Sequence, residues 1–215
     1  MNKQRKSLSI SARRHFVDNF FFSKSGFIKG KIIDIGGKKT NKRGLFDIDK
    51  ISPNVIYVNL EKKDNPDVIA DARNIPLPDN SFDTVIMGEL LEHVFDPAVV
   101  LKEAHRLLKP NGIILITVPF MVGVHGDPHD FGRYTTTFWE KLAEIIGFDV
   151  TEIEQHGNMF AVIALMVQHM FRAKNISWRP IQNTIISMLM WLDKKTQNPL
   201  LTAWTTGYGI ILQKK

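Results

Sequence analysis

The chain has 215 residues, enough for one domain with a sizeable core, and its composition (44% hydrophobic, 23% charged) excludes a largely disordered polypeptide. It contains no cysteine, which excludes disulfides and thiolate metal sites and leaves any metal to His, Asp or Glu. The net charge of +6 suits an anionic partner such as a nucleotide-sugar, a nucleic acid or a membrane surface.

Part of that charge lies in the first segment, residues 1–27, read as a basic arm followed by a helix. Lys3, Arg5, Lys6, Arg13 and Arg14 all precede the first acid, Asp18, and the simplest reading of them is a solvated tail. They run into "HFVDNFFFSKSG", which lacks the uninterrupted apolar stretch of a secretory signal, so a cytoplasmic location is expected.

From residue 28 onward, apolar runs alternate with helical patterns. "KIIDI" (31–35), "NVIYVNL" (54–60), "DVIA" (67–70) and "DTVIMG" (83–88) read as short strands. Asp96 and Pro97 form an N-cap and first-turn pair, opening a helix that carries Val99, Val100, Ala104, Leu107 and Leu108 on one side and ends at Pro110 and Gly112. "GIILITVPF" is the next strand, "TTTFWEKLAEIIGF" a capped helix closed by Gly147, and "FDVTEIEQ" another strand. Apolar runs without polar alternation predict parallel strands covered on both faces. The expected fold is therefore α/β, with a doubly wound, mostly parallel sheet.

Ligands in such sheets bind at the carboxyl ends of the strands. Here those ends carry Asp34-Ile35-Gly36-Gly37, then Glu61, spaced like an acid that holds a ribose diol, then Asp71, then Glu89, Glu92 and His93. Glycine lets a ligand approach the backbone closely.

"IIDIGG", "NLE" and "VIADARNIPLPDNSFDTVIMGELLEHVFDPAVVLKEAHRLLKPNGIILITVPF" together resemble the core of the class I S-adenosylmethionine-dependent methyltransferases, of the small type associated with sugar and polyketide modification. The resemblance covers roughly residues 28–150, with a closing strand expected over 205–215. It implies a Rossmann-like fold and S-adenosylmethionine as cofactor. Carried over by position, it places Gly36 and Gly37 at the methionine moiety, Glu61 at the ribose hydroxyls, Asp71 and Ala72 at the adenine edge, and Glu89 near the amino-acid end of the cofactor, with Asp34 also counted among the cofactor-binding residues. Asp83 and His93 also fall in family-like positions, where turns and helix starts would equally use them.

The sequence departs from the family in its glycine loop. "GGKKTNKRGLFDIDKISP" lacks the third glycine and any helical period, so the helix after the first strand is expected to be short or missing. No G-x-G-x-x-G is present, which weakens a dinucleotide reading, whereas a cofactor without a phosphate remains compatible. Lys38, Lys39, Lys42 and Arg43 read as a solvated loop.

"HGDPHDFGRYT" (125–135) follows the fifth strand and should overhang the carboxyl edge of the sheet. Its position favours a substrate loop. His125 and His129 are candidate general bases, Asp127 or Asp130 the group that orients them, Arg133 a donor to an anionic acceptor, and Tyr134 a hydrogen-bonding or stacking group. The choice of His129 over His125 rests on resemblance, since "PHDFGRYT" looks like the recurrent part of this loop. A metal site built from His125, Asp127, His129 and Asp130 is chemically reasonable, but the resemblance requires no metal and none is assigned. Alternatively, Asp130 and Arg133 pair to shape the loop while Phe131 and Tyr134 pack it.

The segment 158–200 holds two apolar, Met-rich runs, "NMFAVIALMVQHMF" and "PIQNTIISMLMW", flanked by Arg172, Lys174 and Arg179. It is read as a helical insertion forming a lid over the cleft, with peripheral membrane contact through 158–191 or a homodimer interface as alternatives; the first run is too short to span a bilayer. Residues 28–215 then form one methyltransferase domain acting on a hydroxyl of a small-molecule or glycan-type acceptor. The rival readings are an RNA or tRNA methyltransferase, against which stands the lack of an aromatic–basic stacking stretch, and a non-catalytic binding protein that keeps the fold.

Overall fold

The computed structural model describes residues 11–126, 128–173 and 179–215. Lys3, Arg5, Lys6, Asp127 and Lys174 of the sequence reading lie outside them.

Seven strands form one sheet: β1 (Ile32–Ile35), β2 (Val55–Asn59), β3 (Val68–Ile69), β4 (Phe82–Gly88), β5 (Leu108–Pro119), β6 (Phe148–Gln155) and β7 (Gly207–Lys214). Their order is β3-β2-β1-β4-β5-β7-β6. The strands from β1 to β5 pair in parallel, and β7 enters between β5 and β6 antiparallel to both. The order reverses at β1 and β4, so the crevice at a switch point of the sheet opens above the ends of those two strands.

The two faces are covered in different ways. On one, α2 (Pro97–Leu107) and α3 (Thr136–Ile146) press Val100, Leu101, Ala104, Leu107, Trp139 and Leu142 onto Ile33, Val85, Met87, Ile114 and Ile116. On the other lies α1 (Ala12–Ser23), whose Val17, Phe20 and Phe21 pack on Ile32, Ile86, Leu115 and Ile211. Each large apolar side chain so buried contributes about 1.5–3 kcal/mol. Between β1 and β2 the chain forms a single 3-10 turn, Ile48–Lys50, where a crossover helix would ordinarily stand. The N-terminal helix occupies that face instead.

Several details differ from the sequence reading. The helix that opens at Asp96, whose side chain accepts from Ala98 N–H at 3.0 Å, ends at Leu107 and not at Pro110. Pro110 disfavours helical backbone at Lys109, and Leu108 already pairs with Phe82 in the sheet. Val99 faces outward, unlike Val100. Lys38, Lys39 and Lys42 are not simply solvated. They bridge to Asp64 at 2.8 Å, to Asp67, and to Asp47 and Asp49 at 2.6 and 2.5 Å, and so staple the loop in the absence of a helix. Arg13, expected in a solvated tail, is only 6% exposed.

Before the last strand, α4 (Met159–Ala173) and α5 (Arg179–Lys195) form a hairpin, followed by the short α6 (Pro199–Thr202). Asp193 of α5 caps the start of α4, accepting from Asn158 N–H and Ala161 N–H at 2.9 and 2.8 Å. Gln168 of α4 caps α1 by accepting from Ala12 N–H at 2.9 Å. Ala12, Ala164 and Leu189 are buried where the three helices meet, while Met166, Met170, Met188 and Trp191 face outward. No described residue of α4 or α5 lines the cleft. Among the described residues no helix is long and apolar enough to cross a membrane.

Candidate active site

A cleft of about 570 Å³ opens above the carboxyl ends of β1, β2 and β4. Asp34, Gly36, Gly37, Glu61, Asp71, Ala72 and Glu89, the seven residues expected at a cofactor, all line it.

The floor is the turn after β1. Gly36 has φ +81°, and a Cβ there would meet Leu90 Cδ1 at 2.8 Å; a Cβ on Gly37 would run into the Asp34 carboxylate. The Gly36 position therefore favours glycine through its backbone, a Cβ on Gly37 would displace the Asp34 carboxylate, and the pair leaves a cradle of bare backbone. Asn59, at the end of β2, pins the turn by donating to the Gly36 and Gly37 carbonyls at 3.2 and 3.1 Å. Burial pushes the Asp34 carboxyl up to about 7, against the opposing pull of Lys42. An enclosed acid at that value attracts a cationic ligand group, which would favour its ionised form.

One wall is formed by Leu60, Glu61, Ala70, Asp71 and Ala72. Glu61 is half exposed and pairs with Lys63, so its carboxylate stays accessible for a diol. Asp71 accepts the Arg73 guanidinium at 2.6 Å, which holds its pKa down and keeps it an acceptor.

The opposite wall comes from α1, which contributes Arg14, Asp18 and Phe21. Beneath it, Glu89 sits at the end of β4 with φ +55°, a conformation that costs a non-glycine residue energy. Arg13 holds it there in a fork, Nε to Oε2 at 3.0 Å and a terminal nitrogen to Oε1 at 2.5 Å. The same guanidinium donates to the Val118 carbonyl at 2.8 Å and to His156 Nδ1 at 2.6 Å. Burial works to raise the Glu89 pKa, but Arg13 outweighs it and keeps the carboxylate ionised. Burial, seconded by Arg13, pushes His156 well below the ordinary histidine value, so it stays neutral and accepts.

At the far end, His93, His125 and Pro128 complete the lining. Glu92 lies just below, buried, with its Oε1 at 3.6 Å from His93 Nε2 and 3.9 Å from His125 Nε2. Burial first, and the Glu89 charge second, push its carboxyl up to about 8.

The loop 125–135 divides into residues that reach this end and residues that support it. His125 reaches the cleft. Asp130 and Arg133 form a fork in which Asp130 also accepts His125 N–H at 2.8 Å; Arg133 holds the Asp130 carboxyl well below its usual range. Tyr134 stacks on Phe138 at 4.3 Å and packs edge-on to Trp139. The His129 ring is exposed, against Phe131, and does not line the cleft; its carbonyl accepts from His93 Nδ1 at 2.5 Å. Of the two histidines, it is the ring of His125 that lines the cleft. Arg133 pairs with Asp130, as the loop-shaping alternative expected, while its Nε has no hydrogen-bond partner among the described residues.

Sequence reasoning missed Arg13, Asn59, His156 and the depth of Glu92. An arginine near a terminus carries no sign that a partner 76 residues away will bury it. Glu92 and His93 stand together in "ELLEHV", and that doublet beside a strand end was the one available signal.

Residues 45–116 match the family described as Methyltransferase domain. Among curated proteins, the demethylmenaquinone methyltransferase of Geobacillus stearothermophilus is 37% identical over 82 residues, 38% of this chain and 28% of that one. The ubiquinone/menaquinone biosynthesis C-methyltransferase of Neisseria meningitidis is 30% identical over 118 residues, 48% of this chain and 47% of that one. This chain thus spans less than half the length of these curated relatives. Among solved structures, a SAM dependent methyltransferase from Archaeoglobus fulgidus superposes with a TM-score of 0.60 at 20% identity, covering 94% of each chain. This chain has the class I methyltransferase fold. Phosphoethanolamine N-methyltransferase 2 of Haemonchus contortus, solved with S-adenosylhomocysteine, shares the fold at a TM-score of 0.54 and 16% identity, over 94% of this chain and 56% of that one. So does a [4+2]-cyclase, at 0.59 and 14%, over 94% and 81%.

Proposed function

We propose that this chain transfers a methyl group from S-adenosylmethionine to an acceptor hydroxyl of a small or glycan-type molecule. The observation that carries the reading is one cleft whose lining unites all seven strand-end residues with His93 and His125. The cofactor fits the residues present. The Gly36–Gly37 cradle and Asp34 suit its cationic methionine end, Glu61 its ribose, and Asp71 with Ala72 its adenine edge, with Leu60 beside the ring. Bound there, it supplies a methyl group on a sulfonium.

The protein has two tasks left, alignment and proton removal. Glu89, fixed by Arg13, orients the donor end. His125, held by Asp130 through its backbone, faces the acceptor end, where a proton must leave a hydroxyl before it becomes a good nucleophile. Calorimetry with S-adenosylmethionine, followed by transfer of labelled methyl to a panel of hydroxyl acceptors, tests this directly. Absence of cofactor binding would refute methyl transfer and favour a non-catalytic binding protein that keeps the fold.

The names of the curated relatives favour a second reading, a carbon acceptor of the quinone-precursor type. The panel should therefore include phenols of that type. The outward apolar face of α4 and α5 supports contact with a membrane surface or a second copy of the chain, either of which would suit a lipid-soluble acceptor.

A further inference from the structure

We propose that Glu92, His93 and His125 form a binding site for one divalent transition-metal ion at the acceptor end of the cleft. One ligand atom from each lies within 4.8 Å of the other two. The set differs from the one the sequence suggested: of the described residues His125, His129 and Asp130, only His125 belongs to it, and Asp127 lies outside the described residues.

Three observations carry the proposal. The first is Glu92. Its side chain is 1% exposed, and among the described residues neither carboxyl oxygen has a hydrogen-bond partner. A buried carboxyl group without partners is costly, and a cation bound at Oε1 would offset that cost.

The second is the orientation of the imidazoles. His93 commits Nδ1 to the His129 carbonyl at 2.5 Å, and His125 sets Nδ1 at 3.1 Å from the Gly123 carbonyl and 3.5 Å from Asp130 Oδ2. Arg133 Nη2 also stands 3.5 Å from His125 Nδ1, but the shorter contact, to the Gly123 carbonyl, takes an N–H there; an N–H donated to oxygen at Nδ1 leaves the lone pair on Nε2, and both Nε2 atoms face the same Glu92 oxygen. Metal-ligating histidines are held in this way. The rings stand nearly perpendicular, 87° apart with centroids at 5.3 Å, so their lone pairs converge without stacking.

The third is access. His93 and His125 line the cleft and Glu92 closes the site from below, which leaves the cleft side open. Three protein ligands and one open position is the arrangement of catalytic and not structural zinc sites. A tetrahedron with bonds of roughly 2.0–2.1 Å has edges of about 3.3 Å. The 3.6 and 3.9 Å separations therefore need to close by roughly half an ångström. Two imidazoles and one carboxylate suit zinc, cobalt or ferrous iron, whereas magnesium and calcium prefer all-oxygen sets. Arg133, the nearby cation, is already forked to Asp130.

A divalent ion there would lower the pKa of a hydroxyl presented to its open position. That use rests on the methyl-transfer reading; the binding itself does not. The test is a titration of the untagged, chelator-treated full chain with Co²⁺ alone, followed by visible absorption, and with Zn²⁺ by calorimetry. The expected result is one Co²⁺ per chain, displaced by Zn²⁺. Glu92→Gln and His93→Ala should each weaken it about 100-fold or more, with circular dichroism confirming the fold. His129→Ala should bind as the wild type does, because only its carbonyl participates. Absence of stoichiometric Co²⁺ binding, or equal binding by wild type and Glu92→Gln, overturns the site. S-adenosylmethionine calorimetry on the same metal-free sample separates the two claims, since a chain that takes Co²⁺ but not the cofactor refutes methyl transfer alone.

Discussion

The guanidinium of Arg13 and the carboxylate of Glu89 close a two-bond fork across 76 residues of sequence, and with it fix a backbone that glutamate does not adopt readily. Removing one partner leaves a buried charge uncompensated, which typically costs about 3–5 kcal/mol. Arg13→Met should therefore lower the urea midpoint sharply and weaken S-adenosylmethionine binding, while Arg13→Met with Glu89→Gln should recover part of the stability but not the affinity. A single variant that loses less than about 1 kcal/mol would show that the fork is incidental.

Glu61 should hold the ribose hydroxyls. Glu61→Ala is expected to weaken S-adenosylmethionine by about 1–3 kcal/mol in calorimetry, the usual loss of a charge-assisted hydrogen bond. Because the residue is half exposed, its removal should leave thermal stability unchanged. An unaltered dissociation constant removes it from the site.

Asp34 ties cofactor binding to pH. Its folded value of about 7 lies above the ordinary 3.8. Its contribution to stability is therefore full below the ordinary value and is lost as pH rises to about 7. A cationic ligand favours the ionised form, so binding near neutral pH should release a proton and tighten as pH increases. Calorimetry in buffers of different ionisation enthalpy measures that proton directly. Asp34→Asn should abolish the release and make the free protein more stable above neutrality; equal proton release in the variant would assign it elsewhere.

The two loop histidines should separate in turnover. His125→Ala is expected to lose two orders of magnitude or more, about the worth of a positioned base or ligand. His129→Ala should stay within a few-fold of wild type, since its ring does not line the cleft. The opposite ranking would restore the sequence-based preference for His129.

Met166 distinguishes a packed helix face from a contacting one. At 53% exposure, Met166→Asp should fold normally, contrary to what a buried lid would give. If the face meets membrane, wild type should sediment with anionic liposomes at low salt, release as salt rises, and do so less in the variant. No sedimentation of either protein would turn attention to a dimer, measured by light scattering.

That Asp34, Glu61 and Asp71 would meet at one cleft was legible in the sequence because each stands near the carboxyl end of a strand, and short apolar strands announce their own ends. Asp34, Glu61 and Asp71 needed only that rule. The stretch 125–135 was placed correctly over the sheet edge, yet which side chains turn inward depends on the Asp130–Arg133 fork, and nothing in a run of polar residues reveals its internal pairing. The apolar runs of α4 and α5 were visible as helices, but Asn158, Gln168 and Asp193 decide where they dock. Such partners, at separations of 35 and 156 residues, carry no local signal.

The placement of α1 also sets the order in which the cleft can be completed. The helix is the first described element to leave the ribosome, whereas the groups that Arg13 grips stand 76, 105 and 143 positions later, at Glu89, Val118 and His156. Closing such long loops is slow, and the last of these groups emerges after β6. Until then Phe20 and Phe21 have only part of their sheet to cover, and the nascent chain presents an unpaired apolar helix. A permuted chain that joins α1 after β7 would synthesise the sheet before its cover. Stopped-flow refolding of that chain, compared with the natural order, would show how far folding speed is governed by where the cover is encoded.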